Sequence, residues 1–119
     1  MKYMMLINQG SGPTPQSPDE WARLDAADQQ QVVADYQAIN ATPGVTPGHG
    51  LQLPETATTV RVHDGRTSTT DGPFAGTEEA LGGYFVFEAD HLDAAIALAA
   101  RVPAARLGGA VEIRPIMEW

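Results

Sequence analysis

Apolar residues recur with two different spacings along the chain, and these spacings predict strands and helices in turn. Residues 2–8 are apolar on both faces, which is typical of a strand that packs on one side and is covered on the other. From 57 to 63, apolar and polar side chains alternate as in a strand. Asp64-Gly65 is a two-residue hairpin signal, so residues 66–70 are predicted to form the returning strand.

Three more strands follow from shorter signals. A short strand is predicted around 48–53, because Pro54 ends it. Residues 84–89 follow a pair of glycines and form the most aromatic segment, so we expect this strand to be central. The last strand is predicted from 110 to 117.

Two helical regions are predicted between these strands. Ser17 is expected to cap a short helical turn at 18–23, and the main first helix follows over 26–40. One apolar stripe runs along that helix, formed by Val32, Val33, Tyr36 and Ile39. The second helix is predicted to begin at Asp90 as its N-cap and to end at Pro103. A further short turn is expected at 77–80.

The order of these elements predicts the fold of a single domain that spans residues 1–119. Helices that alternate with strands in this way favour an α+β fold, a ferredoxin-like sandwich with an inserted β-hairpin. The helices of such a sandwich cover only one face of the sheet. In the last strand, the apolar Val111 alternates with the charged Glu112 and Arg114, which indicates that the second face is not simply solvated. We therefore expect a homodimer in which two such faces meet.

Composition and charge exclude several classes of protein. The net charge of −8 argues against nucleic acid and anionic membrane surfaces as partners, because both require a basic face. No apolar run approaches the roughly 20 residues that span a membrane. The chain has no cysteine, which excludes disulfides, thiolate nucleophiles and cysteine metal sites. The N-terminal apolar run is too short for a signal peptide, so a cytoplasmic location is expected.

The stretch Asp71-Gly72-Pro73-Phe74 is the first candidate for chemistry. If Asp71 is partly buried beside Phe74, its pKa would be raised and suit a general base. Alternatively, an aspartate before Gly-Pro caps a turn through its side chain, and the stretch is then structural. Phe74 is accordingly either a core residue or the wall of a ligand pocket.

Histidine and the charged strand residues supply the other candidates. His49 lies between two glycines and is the histidine that we place near a cleft, where it would form an acid–base pair with Asp71. Arg61, Glu112 and Arg114 would bind a polar or anionic small molecule if the helix-free face lines a dimer cleft. A cross-strand ion pair worth about 0.2–1 kcal/mol is the alternative for these three residues. Trp119 is expected to seal the dimer or to pack on a neighbouring strand.

Several kinds of site find no support in the sequence. The three histidines show no metal-ligand spacing. The glycine-rich segment near residue 10 lacks the lysine of a phosphate-binding loop. The Gly-x-Ser-x-Gly turn of many hydrolases is also missing from the chain. We therefore predict no metal and no cofactor.

Six motifs in a fixed order together resemble a known family. They are residues 1–7, 58–65, 70–75, 78–84, 103–106 and 111–117. The chain resembles the YCII-related family in its DGPF-domain branch, named for the stretch Asp71-Gly72-Pro73-Phe74, and the resemblance covers nearly the whole chain.

The resemblance implies a ferredoxin-like fold that pairs into a dimeric α/β barrel, with a cleft between the two facing sheets. Short YciI-like relatives carry a histidine in the first helix and an aspartate, and both are suspected of catalysis. Residues 26–40 of this chain contain no histidine, so only Asp71 matches that pair. Some relatives of the DGPF branch are encoded beside, or fused to, sigma factors of the extracytoplasmic-function type.

Two functions therefore remain open. The first is a small-molecule enzyme or binding protein that uses the cleft, with Asp71, His49 and Phe74 at its site. The second is a non-catalytic oligomeric accessory module of a transcription regulator, in which residues 71–74 form a structural turn. The first function requires a pocket of about 300 Å³ or more with a buried ionisable group. The second requires a turn whose backbone groups are hydrogen-bonded and no such pocket.

Overall fold

The structure, a computed structural model, describes residues 1–10, 12–14, 17–74 and 80–118. These ranges contain six strands, four α-helices and a 3₁₀ turn. The elements are β1 (Lys2–Asn8), α1 (Pro18–Trp21), α2 (Ala26–Asn40), β2 (Val45–Gly50), the 3₁₀ turn (Pro54–Thr56), β3 (Thr58–His63), β4 (Arg66–Asp71), β5 (Leu81–Glu88), α3 (Leu92–Ala99), α4 (Pro103–Arg106) and β6 (Ala110–Pro115). Most of the turn predicted at 77–80, and Trp119, lie outside the described residues.

The larger sheet has four strands in the order β2-β5-β1-β6. All three neighbouring pairs in it are antiparallel. The predicted mixed α+β fold is confirmed, and this strand order is compatible with a ferredoxin-like fold. The aromatic strand β5 pairs with β1 on one side and β2 on the other, so its predicted central position is also confirmed.

The helices cover one face of this sheet, and the core lies between them and the strands. Along β1, Tyr3, Met5 and Ile7 are buried and point to the same face. The buried side chains that meet them come from β5, from the helices and from the segment after α3. They include Ile39, Phe85, Phe87, Ala95, Leu98 and Val102. Val33, predicted in the apolar stripe of α2, is instead exposed.

The N-termini of the helices show which of the predicted capping hydrogen bonds are present. The Asp25 carboxylate accepts a hydrogen bond of 2.8 Å from the Asp28 amide and caps α2. The predicted cap by Ser17 is wrong, because its side chain makes no cap hydrogen bond. The second predicted cap is also displaced, since His91 rather than Asp90 precedes α3.

Two element boundaries differ from the predictions for tertiary reasons. The strand predicted at 48–53 begins earlier, because Val45 pairs with Phe87 and packs against the core. The ladder is irregular between Thr46 and His49, which accommodates a proline inside the strand. Pro103 begins the unpredicted helix α4, where its fixed φ suits the first helical position.

The hairpin is the second, two-stranded sheet. Asp64 and Gly65 both have positive φ, 50° and 74°, as a type I′ turn requires, so the predicted hairpin turn is confirmed. β3 and β4 pair with each other from Thr58↔Asp71 to His63↔Arg66. Almost all of their side chains are exposed on both faces.

An ion pair joins α2 to α4. Arg106 donates a hydrogen bond of 2.7 Å to Asp35, and the Gln31 amide donates one of 2.8 Å to the other carboxylate oxygen. The hydrogen bond from Gln31 and the neighbouring Arg106 charge lower the pKa of Asp35 from its ordinary value of 3.8, although partial burial opposes this.

The Asp35→Asn variant is therefore expected to lose about 0.2–1 kcal/mol of unfolding free energy at neutral pH, the usual worth of a solvent-accessible pair. Because the folded-state pKa lies below the unfolded value, this stabilisation is present above pH 3.8 and is lost as the pH falls through the folded-state pKa. Urea denaturation of the wild type, Asp35→Asn, Arg106→Met and the double variant would measure the coupling. An equal difference at neutral and at strongly acidic pH would contradict the assignment.

Candidate functional site

The helix-free face of the large sheet has an apolar centre. Met4 and Leu6 of β1 lie on the opposite face from the buried residues of that strand, and each is half-buried. Their partners on β5 are Val86 and Tyr84, which are also half-buried. Within one chain, this apolar centre is therefore left partly open to solvent.

Charged and polar residues border the apolar centre on both sides. On β6, Arg114 donates a hydrogen bond of 2.6 Å to Glu112, and both side chains are exposed. This ion pair lies along one strand and does not cross between strands. On β2 at the other edge, His49 lies opposite Tyr84, with ring centres 5.9 Å apart in an edge-on contact.

The predicted residues His49, Glu112 and Arg114 thus share one face but do not meet. They lie on the two edge strands, β2 and β6, with β5 and β1 between them. Three strand spacings separate the edges, which is roughly 14 Å. A ligand that touched both edges would have to lie across the apolar centre.

The other predicted site residues lie on or beside the hairpin. Phe74 is 80% exposed, so its interpretation as a core residue is wrong. The Arg61 guanidinium carbon lies 5.0 Å from the centre of the Phe74 ring, as in a cation–π contact. Arg61 therefore holds Phe74 against the hairpin.

Asp71 ends β4 and is exposed, which differs from the partial burial expected of a general base. The turn after it is fixed by other groups. The Gly72 amide donates to the Ala57 carbonyl at 2.8 Å, and the Thr59 hydroxyl donates to the Gly72 carbonyl at 2.7 Å. Within the described residues, no hydrogen bond or ion pair joins Asp71 to His49, and the two lie in different sheets.

A cavity of about 250 Å³ opens at the end of the large sheet, between α2 and the β2–β5 pair. Ile7 and Phe85 form an apolar floor. Four of the lining residues have hydrogen-bonding side chains on this side of the sheet, namely Gln9, Thr14, Tyr36 and Asn40. His49 also borders the cavity, but its ring lies beside Tyr84 on the helix-free face. Of the predicted site residues, His49 is the one that borders this cavity.

Two further hollows continue from this cavity toward the hairpin. The first, of about 140 Å³, shares Gln9, Thr14 and Gly82 with the cavity and extends to residues 51–54. The second is an open groove of about 530 Å³ that adjoins residues 51–54 and ends at Phe74. His49 therefore borders the first of three neighbouring hollows and Phe74 borders the last, and the two residues do not touch.

Glycines create the space at the cavity's sheet wall. A Cβ atom on Gly48 would collide with the Tyr84 carbonyl oxygen, and one on Gly82 would collide with the Gln9 side chain. Close approach of β2 to β5 therefore requires Gly48 to lack a side chain, and the absence of a side chain at Gly82 leaves room for Gln9. Gly82, one of the two glycines that precede the predicted strand 84–89, thus lines the cavity.

Tyr36 is a candidate site residue that sequence reasoning placed only in the core stripe. Burial raises the pKa of its hydroxyl. Hydrogen bonds from the Gln9 side chain and the Ala104 backbone, and the Arg106 charge, partly oppose this shift. The signal for a site was the pair of polar groups Tyr36 and Asn40, four residues apart on one helix face.

Comparisons with known proteins agree with the motif resemblance. The family model described as the YCII-related domain matches residues 1–119, the whole chain. The comparison with curated proteins finds no match. Among the residues that the structure describes, no three histidine, aspartate or glutamate side chains converge as a metal site, and no helix is long and apolar enough to cross a membrane.

Proposed function

The chain belongs to the YCII-related family, and we propose that it binds a small organic molecule in the cleft that begins at Tyr36 and His49. The observation that carries this proposal is the cavity of about 250 Å³. It combines an apolar floor with a few hydrogen-bonding side chains, which is the usual composition of a ligand site. The open groove toward Phe74 gives a larger ligand room to extend.

His49 is the acid–base group in this proposal. It borders the cavity at the sheet edge, and its ring lies against Tyr84 on the helix-free face, so it would act on a ligand that reaches this edge. Imidazole is the side chain that most often transfers protons in enzymes. Asp71 is exposed and lies in the other sheet, so we assign it to the turn that presents Phe74 and not to a pair with His49. That turn also supports membership of the DGPF branch.

We propose in addition that two copies pair through their helix-free faces into a dimeric barrel. Support comes from the half-buried apolar centre formed by Met4, Leu6, Tyr84 and Val86. A two-fold axis would bring two such centres together and remove both from water. His49 at the border of this face would then lie beside the interface.

A substitution at the cavity mouth tests the binding proposal. Asn40 is exposed at the end of α2 and borders the cavity, so the Asn40→Trp side chain is expected to fill the mouth without disturbing the core. A library of small organic fragments, screened by ligand-observed NMR, should yield hits whose affinity falls about 10-fold or more in this variant, about 1.4 kcal/mol. His49→Ala should weaken a subset of the same hits.

Gln37→Trp is the matched control, because Gln37 is exposed on the same helix and lies outside the cavity. Its fragment hits should equal those of the wild type. If both tryptophan variants keep every hit, or the wild type has none, the cleft is not a ligand site. The accessory module then becomes the better interpretation, because the backbone groups of Gly72 are hydrogen-bonded as that function requires.

A further inference from the structure

Among the residues that the structure describes, those that line the cavity beside α2 carry no formal charge. Its twelve lining residues include no aspartate, glutamate, lysine or arginine, although the chain carries 22 of them. An ionised ligand that left water to enter this cavity would find no counter-charge, and an unpaired buried charge is expensive. The lining therefore favours an uncharged ligand.

Two aromatic rings face the same cavity from the helix side of the sheet, those of Tyr36 and Phe85. The rings of His49 and Tyr84, which are also lining residues, lie against each other on the helix-free face. A flat molecule can stack on such rings or meet them edge to face. An apolar cavity of about 150 Å³ is enough to hold benzene, so a volume of about 250 Å³ accommodates one substituted ring.

The hydrogen bonds around Tyr36 leave its proton available. The Gln9 side chain and the Ala104 backbone both lower the pKa of Tyr36, as groups that donate to the phenol oxygen do. Ala104 is the second residue of α4, where a backbone N–H has no partner within the helix. With its oxygen accepting from these two groups, the hydroxyl can donate its own proton to a third group.

From this arrangement we propose that the cavity selects an uncharged molecule of one planar ring that bears a carbonyl oxygen, and that the Tyr36 hydroxyl donates a hydrogen bond to that oxygen. This inference rests on the proposed function and names the ligand class for the same cleft. Asn40, one helical turn after Tyr36, offers a second amide donor at the cavity mouth. Tyr36 is in this role a binding residue that fixes the orientation of the ring.

Three probes of the same shape but different charge test the ligand class. Benzamide is neutral, benzoate is an anion and benzamidine is a cation. Titrations followed by NMR should give benzamide a dissociation constant at least about 10-fold lower than either ion, about 1.4 kcal/mol. Tyr36→Phe keeps the ring but removes the donor, and should raise the benzamide dissociation constant about 10-fold. Because Gln9 and the Ala104 backbone lose their acceptor in this variant, titrations are made well below its measured unfolding temperature.

A variant with a charge at the cavity mouth provides a second test of the ligand class. Asn40→Asp should move the preference from benzamide toward benzamidine, because the new carboxylate supplies a counter-charge. Gln37→Glu changes the net charge equally outside the cavity and should leave the order of the three probes unchanged. Tighter binding of benzoate or benzamidine to the wild type, or a benzamide affinity that is unaffected by Tyr36→Phe, would overturn the inference.

The failures of the two proposals can be separated. If none of the three probes binds, but fragments of other classes bind and are blocked by Asn40→Trp, the cleft is a ligand site and the proposed ligand class is wrong. If no fragment of any class is blocked by Asn40→Trp, the proposed function and this inference are wrong together.

Discussion

Replacing Val86 with glutamate is expected to convert the proposed dimer into a monomer. Val86 lies on the helix-free face of β5, opposite Met4 on β1 and Thr46 on β2. A two-fold interface repeats each substitution on both sides, so Val86→Glu would bring two carboxylates into one apolar contact. Burying an unpaired charge costs several kcal/mol. The dimer dissociation constant should rise at least about 100-fold, which corresponds to about 2.7 kcal/mol.

Sedimentation velocity over a range of protein concentrations would measure this change. Val60→Glu is the matched control, because Val60 is a strand valine that is already 60% exposed on the hairpin. The control variant should sediment like the wild type. A wild-type protein that stays monomeric at high concentration, or a Val86→Glu variant that remains a dimer, would show that the helix-free faces do not pair. Circular dichroism would confirm that both variants keep their secondary structure.

The sequence predicted those parts of the fold whose signals are local. β1 and α2 occupy the predicted residues because an apolar run and a helical stripe are complete within each segment. The turn at Asp64-Gly65 formed because the positive φ of both residues is available to aspartate and glycine at low cost. Each of these signals needs no knowledge of what the segment packs against.

The parts that were predicted wrongly depend on neighbours distant in the chain. β2 begins at Val45 because this residue pairs with Phe87 and packs against the core, although the local sequence suggested a later start. Pro103 begins α4 as well as ending the previous helix. Burial of Pro103 and Ala104 against the core stabilises this short helix. Local propensity is a weak guide wherever tertiary packing decides the boundary.

In the candidate site too, some features followed from the local sequence and others depend on residues that are distant in the chain. His49 was placed near a cleft from its flanking glycines, and it does border the cavity. Tyr36 was assigned correctly to the inward face of α2, but the contacts of its hydroxyl come from Gln9 and Ala104 in other parts of the chain. Asp71 belongs to one of the motifs on which the family resemblance was based, yet the fold leaves its carboxylate in solvent. A motif can therefore mark ancestry and shape without marking the reacting group.

Phe85 connects the stability of the core with the shape of the proposed site. It is buried on the helix side of β5 and also forms part of the cavity floor. Phe85→Ala removes a ring that lies beside Met5 in the core, on the helix side of the sheet. The loss should be about 3–5 kcal/mol of unfolding free energy, a large share of the roughly 5–15 kcal/mol that stabilises a typical domain. The variant should consequently be partly unfolded near physiological temperature.

Urea denaturation of Phe85→Ala and Tyr84→Ala would compare two adjacent aromatic residues on opposite faces of β5. The comparison belongs in the Val86→Glu background, because a monomer removes any dimer contact from the Tyr84 side. Tyr84 is only half-buried in one chain, so its truncation should cost clearly less than that of Phe85. Equal losses at the two positions would mean that both faces of β5 are packed within one chain. In that case the helix-free face could not be the surface that a second copy covers, and the proposed dimeric cleft would fail with it.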